Sequence, residues 1–312
     1  MLDDPIELGP AEARHLRDLG GLWSDYGPAL RTWSVLDGGM TWKSVAGGDY
    51  LCRYRQEGGR KRFTSLGRRS AETEKIYADF IGRRDGAKTT VISLRDAVAK
   101  GGRVAKAYGL ARLPAKTAEI VRTLWTRKLT DEAVVFGGAA LLAYELESGL
   151  MVPTELIRDE HLILVGRRSA FSEDELTKAY ETAVGGQCRV LDRADRIRFA
   201  RDGEVSLELW DPDALLSRAE PEEAHVLDEA IRLRRFTGLT VARDAQPVEL
   251  SVFDPRAYAV AAAVIGHDER TWLDRAEFAV AVAGRLGLEF EADQAAILRG
   301  VVAGDSIDSP RI

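Results

Sequence analysis

Two adjacent glycines, Gly137 and Gly138, follow a short apolar run and precede a segment of strong helix formers. Residues 134–136 are predicted to form a buried strand and residues 139–146 a helix. Glycines at such a junction let backbone N–H groups approach an anion, and the helix dipole adds favourable charge. The pattern therefore indicates a seat for the polyphosphate of a nucleotide. The structural alternative is a tight turn without a ligand.

Positive charge and aromatic residues are interleaved between residues 50 and 63. The cationic members are Arg53, Arg55, Arg60, Lys61 and Arg62, and the aromatic members are Tyr50, Tyr54 and Phe63. Guanidinium and ammonium groups pair with phosphates while aromatic rings stack on bases, so this set predicts nucleic-acid binding. The alternatives are a solvated charged surface without a ligand, and a contact with the acidic remainder of the same chain.

The charge of the 312-residue chain is unevenly distributed. Residues 53–128 contain 20 Lys and Arg against 7 Asp and Glu, a net charge of +13, whereas the rest of the chain sums to −19. A basic segment attached to an acidic body favours a polyanionic partner, either a nucleoside triphosphate or nucleic acid, bound through residues 53–128. A paralogous subunit or a second copy of this chain is the alternative partner.

Composition excludes several classes of protein. Cys52 and Cys188 are too few for a disulfide framework or a four-cysteine zinc site, and the 4 histidines are too few for a His-rich metal cage. The first residues lack the basic and apolar regions of a signal peptide, and no apolar run approaches the roughly 18 residues of a membrane span. We therefore expect a cytoplasmic protein with no membrane partner.

The spacing of apolar residues predicts the elements that position these side chains. Helices are predicted at 10–33, 70–83, 94–108, 115–128, 139–146, 172–183, 255–265, 272–286 and 293–301, and strands at 40–45, 50–54, 61–66, 134–136, 162–165, 197–200, 205–210 and 248–253. The three strands between residues 40 and 66, separated by glycine pairs, predict an antiparallel meander. Its alternation places aromatic side chains on one face and guanidinium groups on the other.

Four segments of the sequence resemble a known family. They are Tyr50-Leu-Cys-Arg-Tyr-Arg, the segment from Gly59 to Gly67 that ends in Ser-Leu-Gly, the segment Ser70-Ala-Glu-Thr, and the run from Val135 to Leu164. Together they are similar to a bacterial family of nucleotidyltransferase-fold proteins in the DNA polymerase β superfamily. The resemblance implies an α+β fold with a nucleotidyltransferase-like mixed sheet core at residues 129–215. An N-terminal helical and β-meander module at 1–128 and a mostly helical C-terminal region at 216–312 would flank this core.

The chemistry of that family needs three carboxylates. Two lie at positions i and i+2 of one strand and a third on a neighbouring strand, and they hold two Mg²⁺ or Mn²⁺ ions that activate a nucleophile and steady the leaving pyrophosphate. By resemblance, Gly137 and Gly138 correspond to the glycines on the triphosphate side. Glu208, within the sequence Leu-Glu-Leu, corresponds to the third carboxylate, and an Asp-Pro pair follows it as the family pattern requires.

The first carboxylate pair departs from the family pattern. One register places His161 and Ile163 at the two aspartate positions, and a register two residues earlier places Asp159 and His161 there. Isoleucine cannot bind a metal ion, and histidine is a poor ligand for Mg²⁺. After Asp254 and Pro255 the family has a His-Lys pair where this chain has an apolar segment. Both departures favour an eroded catalytic site in a protein that binds nucleotide, nucleic acid or a partner.

The alternative hypothesis is an active metal-dependent nucleotidyltransferase that transfers NMP to a protein, RNA or small molecule. Asp159, His161 and Glu208 would then be catalytic, with Asp159 and Glu208 as ligands of Mg²⁺ or Mn²⁺. Each residue also has an interpretation without chemistry. His161 would be a satisfied histidine at an apolar strand, Glu208 the solvent-facing member of an alternating strand, and Asp159 a polar residue at a strand end.

Overall fold

The computed structural model describes residues 6–36, 38–57, 60–158, 161–192, 196–202, 204–266 and 269–304. The chain divides into two compact units, one formed by residues 19–101 and the other by residues 1–18 together with 102–312. Across the described ranges, no helix combines the length and the apolar character that crossing a bilayer requires.

Helices and strands alternate along the chain in a mixed α+β arrangement. In chain order they are β1 (Ile6–Glu7), α1 (Pro10–Val35), β2 (Gly39–Val45), β3 (Gly48–Glu57), β4 (Arg60–Arg68), α2 (Ala71–Ala107), β5 (Ala111–Leu113), α3 (Ala115–Thr126), β6 (Ala133–Phe136), α4 (Gly138–Leu141), α5 (Glu145–Ser148), β7 (Leu150–Met151), β8 (Leu162–Gly166), α6 (Glu173–Val184), β9 (Arg189–Asp192), β10 (Arg196–Arg201), β11 (Glu204–Trp210), α7 (Pro212–Leu216), α8 (Pro221–Ile231), β12 (Phe236–Ala242), β13 (Pro247–Val252), α9 (Pro255–Ile265), α10 (Arg270–Arg285) and α11 (Ala292–Gly304). Short 3₁₀ helices lie at Leu129–Asp131, Thr154–Ile157 and Arg168–Ala170.

The unit of residues 19–101 contains an antiparallel sheet in the order β2-β3-β4, which confirms the predicted meander. A two-residue turn at Ala46 and Gly47 joins β2 to β3, and both residues have positive φ, 48° and 78°. That backbone matches the twist of a tight hairpin. All residues of β4 apart from the half-buried Gly67 are exposed, so this strand is open to solvent along its length.

α2 is one continuous helix where the sequence predicted two. Gly86 lies in the interval and weakens a helix by about 1 kcal/mol relative to alanine. The buried side chains Phe80, Ala87, Val91 and Val98 nevertheless continue at seven- and four-residue spacing through that interval. Because this apolar stripe is unbroken, packing favours one helix, and the predicted interruption was wrong.

The larger unit is built on a mixed sheet, whose described strands follow the order β5-β12-β13-β6-β8-β11-β10-β9. The pairs β5–β12, β13–β6 and β8–β11 are parallel, and the remaining neighbours are antiparallel. β6 and β8 are buried along their whole length, which explains their continuous apolar sequences. The mixed sheet expected from the sequence is therefore present.

The strands of this sheet come from all three segments predicted from the sequence. β5 lies within 1–128, β6 and β8 to β11 lie within 129–215, and β12 and β13 lie within 216–312. β12 was not predicted, in part because Gly238 interrupts its apolar pattern. A Cβ at Gly238 would lie 1.9 Å from the carbonyl oxygen of Ala143, so a close backbone approach requires glycine in this strand.

β6 ends in the glycine turn singled out by the sequence. Gly137 has φ 74° and ψ −163°, a conformation that disfavours other residues, and it leads into α4. The helix predicted over 139–146 is broken into the one-turn helices α4 and α5. Between them, the fully buried Tyr144 donates a 2.7 Å hydrogen bond to the carbonyl oxygen of Phe253, which fixes this segment to the end of β13.

Candidate functional site around Glu208

Glu208 lies on β11 between β8 and β10. In the ladder it is the parallel neighbour of Ile163 and the antiparallel partner of Arg198. Phe136, at the end of β6, is in turn opposite Ile163, so these residues form one row across the sheet. Side chains in one row share a face. The Glu208 carboxylate therefore has an aliphatic neighbour on one side and a guanidinium on the other.

Four polar groups surround the Glu208 carboxylate. Arg198 Nε lies 2.6 Å from Oε1, and Arg196 Nη1 lies 3.5 Å from Oε2. Trp210 Nε1 donates a 2.6 Å hydrogen bond to Oε2, and His161 Nε2 lies 3.6 Å from the same oxygen. We call Glu208, Arg196, Arg198, His161 and Trp210 the Glu208 cluster. Its cations face the carboxylate as a fixed ionic network.

Glu208 is only 1% exposed, so its interpretation as a solvent-facing residue of an alternating strand is wrong. A buried carboxylate loses its hydration and is stable only with charged or hydrogen-bonding partners. Arg198 and Trp210 supply those partners at short distance. The neighbouring Ile163 is itself 4% exposed and belongs to the apolar core, so it offers no ligand atom.

Sequence reasoning missed the arginines of β10, although a signal for them was present. In β10, Ile197 and Phe199 are buried on one face, which turns Arg196 and Arg198 to the other face. β10 and β11 form a hairpin, but counting outward from its turn would have paired Arg198 with Leu207, because an irregularity between Phe199 and Ala200 shifts the pairing by one residue and brings Arg198 opposite Glu208. The Arg-x-Arg alternation thus indicates which face of β10 carries the cations, and the irregular register decides that this face meets Glu208.

Two guanidinium groups lie close to the indole ring of Trp210. The Cζ atoms of Arg196 and Arg218 lie 5.4 Å and 4.7 Å from the centre of the indole ring, and Trp210 is 5% exposed. Both distances are within the range of cation–π attraction. Trp210 thus orients the Glu208 carboxylate through its N–H while its ring fixes Arg196.

Gly137 and Gly138 are both buried. The hydroxyl of Tyr258, on α9, donates a 2.9 Å hydrogen bond to the Gly137 carbonyl oxygen. The rings of Phe136 and Tyr258 are 5.0 Å apart between centroids, so the turn is also held by aromatic packing. Because Phe136 and Glu208 occupy one row two strands apart, their backbones are separated by about 10 Å. The structure thus brings the glycine turn and Glu208 to one level of the sheet.

Asp159, which was predicted as a catalytic residue and metal ligand, lies outside the described residues. His161 immediately precedes β8 and is near Glu208, as given above. Among the residues with described positions, no three His, Cys, Asp or Glu side chains are grouped closely enough to hold a metal ion.

The basic hairpin of β3 and β4 divides its charged residues between two faces. Residues directly opposite one another in the ladder share a face. Tyr54 is opposite Phe63, and Lys61, two residues before Phe63 on β4, lies on the same side, which we call the aromatic face. Arg55 is opposite Arg62, and Arg53 and Arg60 share that second side, the arginine face. The five cations predicted to bind nucleic acid are therefore not on one surface.

Arg53 is the least available of these cations. Its Cζ lies 5.6 Å from the centre of the Phe80 ring on α2, and its Nη2 donates a 3.5 Å hydrogen bond to the carbonyl oxygen of Val35. Burial lowers the pKa of the Arg53 guanidinium below its usual value, and the charge of Arg55 lowers it further. Arg55, Arg60, Lys61 and Arg62 are exposed.

On the aromatic face, lysines lie over aromatic rings. The rings of Tyr54 and Phe63 are 5.6 Å apart between centroids. Lys61 Nζ lies 4.8 Å from the Tyr54 centroid, and Lys43 Nζ, from β2, lies 3.1 Å from the Phe63 centroid. Lys43 was not predicted as a site residue because it is distant in sequence from the basic run. Lys43 is opposite Tyr50 in the β2–β3 ladder, and this pairing places it on the aromatic face.

Comparison with known proteins gives no family for the chain, since no family model, curated protein or solved structure matches it.

Proposed function

We propose that this chain is a nucleotidyltransferase-fold protein with an eroded metal site, which binds nucleic acid through the aromatic face of its basic hairpin. The observation that carries the first part is the environment of Glu208. Its carboxylate is buried, ion-paired with Arg198 at 2.6 Å and adjacent to Ile163 rather than to a second carboxylate.

A two-metal transfer site requires carboxylate oxygens that face a cavity and attract divalent cations. The Glu208 cluster is instead positively charged, because two arginines face its single carboxylate. Two guanidinium groups within 3.5 Å of the carboxylate oxygens would repel Mg²⁺ from the same oxygens. The adjacency of Ile163 and Glu208 also agrees with the register in which His161 and Ile163 occupy the family's aspartate positions. These features support the eroded interpretation over the active one.

The second part rests on the aromatic face. Phe63 is 41% exposed, and Lys43 and Lys61 lie beside the Phe63 and Tyr54 rings. Single-stranded nucleic acid is bound by this combination, because ammonium groups pair with phosphates and rings stack on bases without selecting sequence. A short single strand is therefore the proposed ligand.

Nucleotide transfer is tested by incubating the full-length protein with α-³²P-labelled NTPs and Mg²⁺ or Mn²⁺, in the presence of RNA and of total protein as acceptors. We expect no transfer of label above that of a heat-denatured sample. Transfer that Glu208→Gln abolishes, with circular dichroism unchanged, would establish the active alternative and remove the first part of the proposal.

Nucleic-acid binding is tested by fluorescence anisotropy with a labelled single-stranded oligonucleotide over a range of salt concentrations. The double variant Lys43→Gln/Lys61→Gln should bind more weakly, and the slope of log affinity against log salt should fall by about 1.4, or 0.7 for each phosphate contact. The control is Arg55→Gln/Arg62→Gln, which removes the same charge from the arginine face of the same sheet. Equal losses in both variants would show that net charge, and not the aromatic face, drives binding.

A further inference from the structure

Positive charge exceeds negative charge around Glu208. Arg196 and Arg198 face the single carboxylate, so these three side chains have a formal charge of +1, and His161 Nε2 lies 3.6 Å from the same carboxylate. The Glu208 side chain is 2% exposed, whereas those of Arg196, Arg198 and His161 are 20%, 26% and 29% exposed. The carboxylate is thus buried beneath cations that reach the surface.

The two guanidinium groups and the His161 imidazole share one face of the sheet. Arg196 and Arg198 are two residues apart on β10, and Arg198 is directly opposite Glu208. His161 is two residues before Ile163, the neighbour of Glu208 on the other side. A nitrogen atom of each of these three side chains lies 2.6 Å to 3.6 Å from a carboxylate oxygen of the more deeply buried Glu208. Because their side chains are already ordered, a ligand that binds them does not bear the full entropic cost of fixing long cationic side chains.

We infer that the exposed side of the Glu208 cluster is an anion site, and that its ligand is a phosphate group, free or carried by a nucleotide. Guanidinium groups present paired N–H donors that match the oxygens of phosphate, and imidazole adds a further donor. A phosphate near neutral pH carries between one and two negative charges, and the net positive charge of the two arginines and Glu208 attracts it. Metal ions are not needed for this binding, because arginine supplies the positive charge.

This site is independent of the proposed nucleic-acid surface. It lies in the unit of residues 1–18 and 102–312, whereas the aromatic face belongs to residues 19–101. The inference also stands on the charges and distances of the cluster, without the family resemblance. The two proposals can therefore fail separately.

The test is isothermal titration of the full-length protein with inorganic phosphate and, separately, with AMP, in buffer that contains EDTA. We expect saturable binding without a divalent metal. Arg198→Lys keeps a charge opposite Glu208 and so retains the fold, but it loses the paired donors and should weaken binding about fivefold, the loss of roughly 1 kcal/mol. His161→Gln, at a partly exposed position, should weaken binding by a similar or smaller factor.

Two controls separate the site from general charge effects. Arg234→Gln removes a charge from an exposed residue between α8 and β12 and should leave phosphate affinity unchanged. Arg243→Gln, at an exposed position between β12 and β13, should also leave it unchanged. Tighter binding of AMP than of phosphate would identify a nucleotide as the ligand, and equal binding would identify the phosphate group itself. Absence of saturable binding at millimolar phosphate, a strict requirement for Mg²⁺, or equal affinity in Arg198→Lys, His161→Gln and Arg234→Gln would each overturn the inference.

Discussion

Arginine side chains project from β-strands in two regions of this protein, β10 in the larger unit and the β3–β4 hairpin in the smaller one. On β10, Arg196 and Arg198 are directed at a buried carboxylate and their positions are fixed by it. On the hairpin, Arg55 is opposite Arg62 and both are exposed. The same residue type is therefore fixed by a buried counter-charge in the first region and exposed to solvent in the second. The arginines of β10 are fixed because their partner Glu208 is buried, and the number of charges matters less.

The largest effect is expected for Glu208→Leu. The substitution leaves Arg196 and Arg198 without their buried counter-charge, so the free energy of unfolding should fall by about 3 kcal/mol, the lower end for a broken buried pair because both arginines are partly exposed. Urea denaturation followed by circular dichroism measures the change. The control is Glu204→Leu on the same strand, whose side chain is 83% exposed and whose pair with Lys116 spans 4.0 Å. Equal effects of the two substitutions would show that the Glu208 cluster is not a structural ion pair.

A smaller loss is expected for Trp210→Phe. The substitution removes the N–H donor to Glu208 Oε2 and leaves that oxygen short of one partner in a buried site, a cost of about 1–2 kcal/mol in unfolding free energy. Trp125→Phe removes the same kind of bond, 2.9 Å from Trp125 Nε1 to Glu249 Oε1, at a partly buried carboxylate. We expect a smaller loss there because water can replace the indole N–H. A larger loss for Trp125→Phe in urea denaturation would contradict the comparison.

The substitution Phe63→Leu should weaken the binding of single-stranded nucleic acid without changing the charge of the protein. The ring is 41% exposed and is available to stack on a base, so its removal should weaken single-strand affinity about fivefold, or about 1 kcal/mol. Because no cation is removed, the salt dependence of affinity should stay as in the wild-type protein. Fluorescence anisotropy at several salt concentrations measures both quantities. A changed slope with unchanged affinity at low salt would remove the stacking role of Phe63.

The smallest effect on stability is expected for Arg62→Gln. Arg62 is exposed on a strand that is open to solvent, so the free energy of unfolding should change by less than about 0.5 kcal/mol. The matched substitution on β10, Arg198→Gln, should cost several times more because it leaves Glu208 buried with one fewer cation. Thermal unfolding of the two variants in parallel distinguishes them. Similar unfolding temperatures of the two variants would mean that the buried partner of Arg198 does not make this arginine more important for stability than the exposed Arg62.

Much of the local structure could be predicted from the sequence. The meander, the strand before Gly137, β8, and the β10–β11 hairpin occur where apolar periodicity and turn residues placed them. α2 was predicted as two helices, but its buried apolar residues continue at seven- and four-residue spacing past Gly86. β12 was missed because Gly238 interrupts its apolar pattern, whereas the close approach of the Ala143 backbone requires glycine there.

The candidate site was predictable only in part. Glu208 was predicted as a site residue from its place in Leu-Glu-Leu, but its arginine partners on β10 were not, because the irregularity between Phe199 and Ala200 shifts the pairing of the hairpin by one residue. The division of the hairpin cations between two faces follows from alternation along each strand, yet Lys43 joins the aromatic face through pairing with a third strand. Residues that are distant in sequence meet through strand register, which local patterns specify weakly.

The sequence by itself determined the uneven distribution of charge, the strand that ends before Gly137, and the alternation that turns Arg196 and Arg198 to one face of β10. These features depend on residue type and on spacing within one element. Only the tertiary structure decided that Glu208 is buried, that Ile163 is its neighbour and that the cations around it face outward. The parallel pairing of β8 with β11 brings Ile163 beside Glu208, and burial then leaves that carboxylate stable only in contact with arginine and tryptophan.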